Sequence, residues 1–348
     1  MHPSNSVQPQ HTESLATAAP RGAAHSVSAT FRSTVVVGAG AVGSFFGALL
    51  ARAGHRVTLI ARAAHVQAIQ DRGLQLHMGG QVHTVPMTAT TELGAVADAD
   101  LVLFCVKSTN TDTVARQMAP LLPAHALVLS LQNGVDNAET LARHLPHNVV
   151  VPAVVYVATA MPEAGVVKHF GRGDLVIGPL HCARLANTAL QQQLHAVADL
   201  FASAQVPVRI APDVMAALWM KLVVNCAYNA ISGLSQQPYG PMAALPAIHT
   251  LMQAVVQEVV AVAQAAGQPL QLDAALAAMD HIAVAMPGQL SSTAQDMARG
   301  KPSEIDHLNG FIARRGAELG VATPVNQTLH ALVKLVEAGR SGTAAATL

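Results

Sequence analysis

The sequence predicts an α/β chain: an open, doubly wound, mainly parallel sheet followed by an all-helical region. Three observations predict it. From Thr34 to about Val208, short β-type apolar runs alternate with helical patterns, as repeated βα units do. A glycine-rich turn, Gly38-Ala39-Gly40-Ala41-Val42-Gly43, joins the first run to the first helix. Beyond Pro212-Asp213, strand signals become scarce and long apolar helical patterns take over.

The elements follow in order. A strand around Val35–Val37 leads through the glycine turn to a helix that Gly54 is suited to end. His55 to Arg62 reads as the second strand, and Arg72 to Val85 as a hairpin around Gly79-Gly80. Asp100–Val106 is a near-continuous apolar run of the kind buried on both faces of a parallel sheet. A helix from Asn110 to Leu122, a strand at Ala126–Leu131, a helix from Ala138 to His144 and a strand from Val149 to Thr159 come next. A further strand pair is expected to flank Gly165 and Gly171–Gly173, then a helix Leu190–Ser203 and a short strand near Val208. Asp213 is a candidate N-cap for a helix to about Ser232. Further helices are expected at Met242–Ala266, Leu272–Met286, Ser291–Arg299, Ser303–Leu319 and Val325–Ala338. The expected division is a disordered extension at 1–33, a sheet domain at 34–211, a helical domain at 212–339 and a disordered tail at 340–348. Residues 1–33 have no apolar signal segment; their composition leaves a weak organellar transit peptide open.

Composition narrows the function. At 348 residues, with 51% hydrophobic and 11% charged residues, the chain can bury two cores. Formal net charge is zero and no Lys/Arg cluster appears, which argues against nucleic acid as a partner. The apolar run Val149–Met161 contains Pro152 and is too short to span a bilayer, so no membrane is expected. Cys105, Cys182 and Cys226 lie far apart in apolar surroundings and read as buried thiols of a reducing, cytoplasmic compartment. The 17 histidines are scattered singly without ligand spacing, so no metal centre is expected.

The glycine turn carries the first chemistry. Gly38 permits the tight turn, Gly40 lets a pyrophosphate approach the backbone, and Gly43 lets the helix pack on the strand. The unpaired N–H groups of the helix start would meet the phosphates. At the end of the second strand, where an acid would bind a ribose 2′-hydroxyl, stands Arg62, with His65 nearby. A guanidinium pairs with a 2′-phosphate, which favours NADP(H) over NAD(H); a solvated surface arginine is the other reading. Lys107 and Asn133 follow later strands, where open α/β sheets bind ligands, although Asn133-Gly134 also suits a simple turn.

In the helix after Asp213, Lys221, Asn225 and Asn229 recur at i,i+4 steps and share one stripe. Either a polar pocket meets them, or Lys221 snorkels and the amides bond neighbouring backbones. Ser291-Ser292-Thr293 and Lys301–Gly310 sit at expected helix starts, where capping alone explains their Ser and acidic residues.

Together these segments resemble the ketopantoate reductase (2-dehydropantoate 2-reductase) family from about Thr34 to Glu337. The resemblance rests on Gly38–Gly43, Val106-Lys107, Gln132-Asn133-Gly134-Val135, Leu218–Cys226, Ser291–Asp296 and Glu304–Gly310. It implies a Rossmann-type NADP(H)-binding domain and a helical domain carrying most catalytic residues. It implies that Lys221 is the general acid and that Glu304 engages a substrate hydroxyl and orients the lysine at the edge of the cofactor site. Asn225 and Asn229 would bind substrate, Ser292 its carboxylate, and Lys107 and Asn133 would sit at the cofactor–substrate junction. Gly38, Ala39, Gly40, Ala41, Val42, Gly43 and Arg62 would hold the cofactor. The implied reaction reduces ketopantoate to (R)-pantoate in pantothenate synthesis, and a homodimer is implied at family level only. The loop Gln237-Pro238-Tyr239-Gly240 departs from the family's Asn before the Gly, so the alternative substrate is another, bulkier 2-oxo acid. A non-catalytic NADP(H)-binding regulator would lose Lys221 or Glu304, and both are present.

Overall fold

The computed structural model describes residues 31–181 and 186–345, with side chains to 339; Cys182 and the expected extension up to residue 30 lie outside the described residues. Ten strands form one sheet in the order β4-β3-β9-β8-β7-β6-β1-β2-β5, with β10 paired to β9. Its parallel centre is β1 (Thr34–Val37), β2 (Val57–Ile60), β5 (Thr88–Thr90), β6 (Leu101–Phe104), β7 (Leu127–Ser130) and the start of β8 (Val149–Glu163). The hairpin β3 (Leu74–Met78) and β4 (Gln81–Val85) joins through β9 (Val166–Ile177), and β10 is Val208–Ile210.

Strand alternation builds a core on each face. Val36, Leu101 and Leu103 face one side with Phe45 and Phe46 of helix α1 (Ala41–Arg52) and Phe201 of α5 (Thr188–Ser203). Val35, Val37 and Phe104 face the other, with Met118 of α3 (Thr111–Met118) and Leu141 of α4 (Asn137–His144). The chain leaves β1 toward β2 on one side and returns to β6 on the other, so a topological switch lies between β1 and β6. Parallel register aligns Val37 with Phe104 and Phe104 with Ser130. The loops after these three strands therefore emerge at one edge.

The helical region is organised around α6 (Val214–Ser235), whose N-cap Asp213 accepts from the Ala216 N–H at 2.9 Å. Against it pack α8 (Pro246–Ala265), α9 (Leu272–Ala285), α10 (Ser292–Ala298) and α12 (Pro324–Ala345), with α7 (Tyr239–Ala243) and α11 (Asn309–Leu319) completing the layer. Trp219, Tyr228, Met252 and Met279 are its large buried side chains. By length and composition α6 and α8 could each cross a bilayer, which the sequence reading missed; here α6 is mostly buried and α8 packs one face against it.

Several boundaries differ from expectation. Residues 31–33 belong to the fold: Asp100 accepts from the Arg32 and Ser33 N–H groups at 2.8 and 3.0 Å, and Ser33 is buried. Instead of a separate strand pair, β8 runs on to Glu163 and turns at Gly165 into one long β9, which passes through Gly171–Gly173 by irregular register. The helix expected at Met242–Ala266 is broken, because Pro246 takes the first position of a new helix, where its missing N–H costs nothing. The segment expected as a helix from Ser303 opens with a 3₁₀ turn at Ile305–His307, and α11 starts only at Asn309. The tail expected to be unstructured after Gly339 continues α12 to Ala345: Gly339 and Gly342 are tolerated and alanines propagate helix.

Candidate active site

The β1–α1 turn has the shape a diphosphate needs. Gly38 has φ +86°, and its N–H and that of Ala39 donate to the Ile60 carbonyl at 3.1 and 2.9 Å. A Cβ on Gly38 would lie 2.6–2.8 Å from Val106, and one on Gly43 2.8 Å from Val36 Cγ1. Gly40 differs, since a Cβ there would meet nothing within 4 Å. Gly40 caps α1 without a side-chain bond, and the first turn carries no acid. Open space at Gly40 beside the Ala41 and Val42 amides of the first helical turn, which have no partner among the described residues, fits a dinucleotide diphosphate.

Arg62 caps α2 (Ala63–Arg72) with its backbone; its side chain is exposed and has no partner among the described residues. His65 does not face the same ligand. It is buried, Nδ1 accepts from the Gly165 N–H at 2.8 Å, and Nε2 lies 3.0 Å from Ser44 Oγ. Ser44 in turn donates to the Ala39 carbonyl at 3.1 Å. Burial lowers the imidazole's proton affinity. His65 thus braces the glycine loop from behind.

The loops after β6 and β7 are locked together. Ser108 Oγ donates to the Asn133 carbonyl at 3.1 Å, and Asn137 Nδ2 donates to the same carbonyl at 2.6 Å. Gln132 Nε2 donates to the Val106 carbonyl at 3.0 Å. From the helical side Glu304 enters this network: one oxygen accepts from the Ser108 N–H at 2.8 Å, the other from Asn133 Nδ2 at 3.4 Å. Lys107 spans the same gap, donating to Asp296 at 2.8 Å and to the Pro302 carbonyl at 2.6 Å. Burial raises the Asp296 carboxyl, and Lys107 opposes that rise.

Lys221 is partly buried on α6, and its ammonium donates to the Val155 carbonyl of β8 at 2.6 Å. Burial pulls its pKa down to about 8; the nearby Glu304 charge opposes this, and the Arg172 charge adds to it. It does not snorkel to bulk water. Asn225 is half-buried, and its side chain makes no hydrogen bond among the described residues. Asn229 is buried; its Nδ2 lies 3.5 Å from Ser292 Oγ, and its Oδ1 is buried with no partner among the described residues. Ser291, not Ser292, caps α10, accepting from the Ala294 N–H at 3.0 Å, which leaves the exposed Ser292 without a capping duty.

The loops after β6 and β7 therefore bring Lys107 and Asn133 to Glu304 and its neighbours, while Lys221, Asn225 and Asn229 lie along α6 and Ser292 starts α10. Tyr239 packs on Tyr228, ring centroids 4.6 Å apart, and its backbone is held by Gln289; it serves the helical core. Sequence reasoning gave Asp296 no role, although it stands four residues after Ser292 on the same helix, the spacing that shares a face. Tyr156, whose ring lies 5.9 Å from the Lys221 Nζ, carried no sequence signal. An open cavity of about 240 Å³ between the β3–β4 hairpin and Lys168–Phe170 contains none of these residues. Among the described residues no group of three or more His, Cys, Asp or Glu could hold a metal.

Comparison with known proteins gives the family. The family model described as ketopantoate reductase PanE/ApbA matches residues 34–181, and its C-terminal counterpart matches residues 213–337. A 2-dehydropantoate 2-reductase of Halobacterium salinarum is 32% identical over 305 residues, covering 87% of this chain and 98% of its own. A crystal structure of a PanE/ApbA family ketopantoate reductase from Ralstonia eutropha JMP134 is 51% identical, covers 89% of this chain and 99% of that chain, and gives a TM-score of 0.81. The ternary structure of D-mandelate dehydrogenase with NADH and anilino(oxo)acetate, 24% identical and covering 89% and 99% of the two chains, shares the fold at a TM-score of 0.82. With the sheet edge, the glycine turn and the lysine helix in place, the chain belongs to the ketopantoate reductase family of oxidoreductases.

Proposed function

We propose that the protein reduces 2-dehydropantoate to (R)-pantoate with NADPH. The observation that carries the reading is Lys221, an ammonium held out of bulk water with a pKa brought to about 8 and electrostatically coupled to Glu304. The bound dinucleotide would supply a hydride to the substrate's C2. As negative charge develops on the ketone oxygen, Lys221 would stabilise it and donate the proton. Asn225, the unpartnered Oδ1 of Asn229, and Ser292 would orient the substrate's hydroxyl and carboxylate. Glu304 would join the substrate to the loops at Ser108 and Asn133, and Lys107 would close the gap beside it. On this reading residues 34–211 act as the binding unit and 212–339 as the catalytic unit, in a cytoplasmic homodimer.

Support for the phosphorylated cofactor is the Arg62 guanidinium at the β2 end, where no acid stands; it has no partner among the described residues. Another 2-oxo acid remains the second reading, on the Tyr239 departure alone, which the packing of Tyr239 against Tyr228 weakens. NADPH and NADH oxidation across a panel of 2-oxo acids tests the proposal. Ketopantoate with NADPH should give the highest kcat/KM. Arg62→Asp should weaken NADPH binding by about 1.5–3 kcal/mol, the scale of a charge-assisted hydrogen bond, and NADH binding by less. Equal loss for both cofactors would make Arg62 a fold residue, and a better 2-oxo acid would replace ketopantoate.

A further inference from the structure

We infer that Arg172 is a specificity-determining residue: a second cation at the mouth of the substrate pocket that selects 2-oxo acids by their carboxylate. The inference rests on the reductase reading above. Gly171, Arg172 and Gly173 have φ of +155°, +57° and +145°, and the β8–β9 register shifts at Tyr156/Val157 and Ala158/Thr159 beside them. A non-glycine residue in the left-handed region is strained, and such strain persists where surrounding structure enforces it. Here the enforcement is visible. The Arg172 carbonyl accepts from His169 Nε2, and the His169 ring stacks on Phe45 of α1, centroids 4.7 Å apart.

The side chain is held as firmly. Nε and Nη2 donate to the two oxygens of Asp174 at 3.0 and 2.8 Å, and Cζ lies 4.1 Å from the Tyr156 ring centroid. That same ring is 5.9 Å from the Lys221 ammonium, so the two cationic centres are no more than 10 Å apart. A 2-oxo acid with its ketone oxygen on one cation and its carboxylate on the other needs roughly 7–9 Å between them, given ordinary hydrogen-bond lengths. A guanidinium has five N–H donors; Asp174 takes the Nε–Nη2 edge, and Nη1 has no partner among the described residues.

The charges at the site call for such a group. Lys107 is committed to Asp296, Glu304 is itself negative, and Lys221 is assigned to the ketone oxygen. Ser292 can hydrogen-bond a carboxylate but cannot offset its charge. Arg172 has 51% of its side-chain surface open, so a carboxylate arriving from solvent can reach it. Its presence also lowers the proton affinity of Lys221, in keeping with proximity.

Arg172→Gly removes the side chain and relieves the left-handed strain, so folding is preserved; thermal melting checks this. Steady-state kinetics should compare the 2-oxo acid with the neutral 2-oxo amide of the same skeleton, alongside fluorescence titration with NADPH. KM for the acid should rise roughly 10- to 100-fold, the effect of losing a charge-assisted hydrogen bond. KM for the amide and NADPH affinity should stay unchanged, and Arg172→Lys should restore part of the loss. An unchanged KM for the acid, or equal rises for acid and amide, would overturn the assignment while leaving the reductase reading intact. Failure of the wild-type protein to oxidise NADPH in the presence of any 2-oxo acid would overturn both.

Discussion

Lys221→Ala should lower kcat by roughly 10²–10⁴-fold, the usual contribution of positioned proton transfer. The substitution removes the ammonium that donates to the Val155 carbonyl, and with it the group poised to meet a developing oxyanion. NADPH affinity should change little, because the glycine turn and Arg62 lie on other elements. Glu304→Ala should raise KM and lower kcat together, since Glu304 is bonded to Ser108 and Asn133 and is also coupled to Lys221. The double variant should be less impaired than the product of the single effects, because both residues serve one site. Single-turnover kinetics with a saturating 2-oxo acid reads these effects, and a near-normal kcat in Lys221→Ala would remove the lysine from the mechanism.

Gly38→Ala should destabilise the protein by about 2–5 kcal/mol, from left-handed strain plus overpacking. The new Cβ would meet backbone atoms of Val106 at 2.7 and 2.8 Å, which cannot swing aside as a flexible side-chain end would. Gly40→Ala is the contrast. Its Cβ meets nothing within 4 Å, so melting should be unchanged while NADPH binding weakens through intrusion on the diphosphate space. Equal melting temperatures for the two variants would show that Gly38 is not under the constraint described. Unaltered NADPH affinity in Gly40→Ala would mean that the diphosphate lies elsewhere.

Sequence logic reached the parts of the fold that local chemistry decides. The βα alternation, the glycine turn, the Asp213 cap and the i,i+4 stripe of α6 each follow from spacing within a few residues. Packing decided the rest. His65 stands close to Arg62 in sequence yet turns inward, because the N–H of Gly165, a hundred residues away, needs an acceptor. The bonds from Ser108 to Glu304 and from Lys107 to Asp296 join positions 196 and 189 residues apart, and no local pattern announces them. Gly171–Gly173 reads as a turn because glycine pairs usually mark one, whereas the chain bends there without leaving the strand. The break at Pro246 was legible, since proline favours the first helical position; the surrounding apolar pattern hid it.

The pH dependence of kcat/KM for ketopantoate at saturating NADPH tests the central claim, that Lys221 donates the proton. This ratio reports groups as they stand before the 2-oxo acid binds. A general acid works only while protonated, and burial has brought the Lys221 pKa down to about 8. The account predicts a plateau below that pH and a tenfold fall per unit above it, with the inflection absent from Lys221→Ala. A kcat/KM that stays flat to about pH 10, well past the lowered pKa and close to that of an ordinary lysine, or that rises with pH, would contradict it.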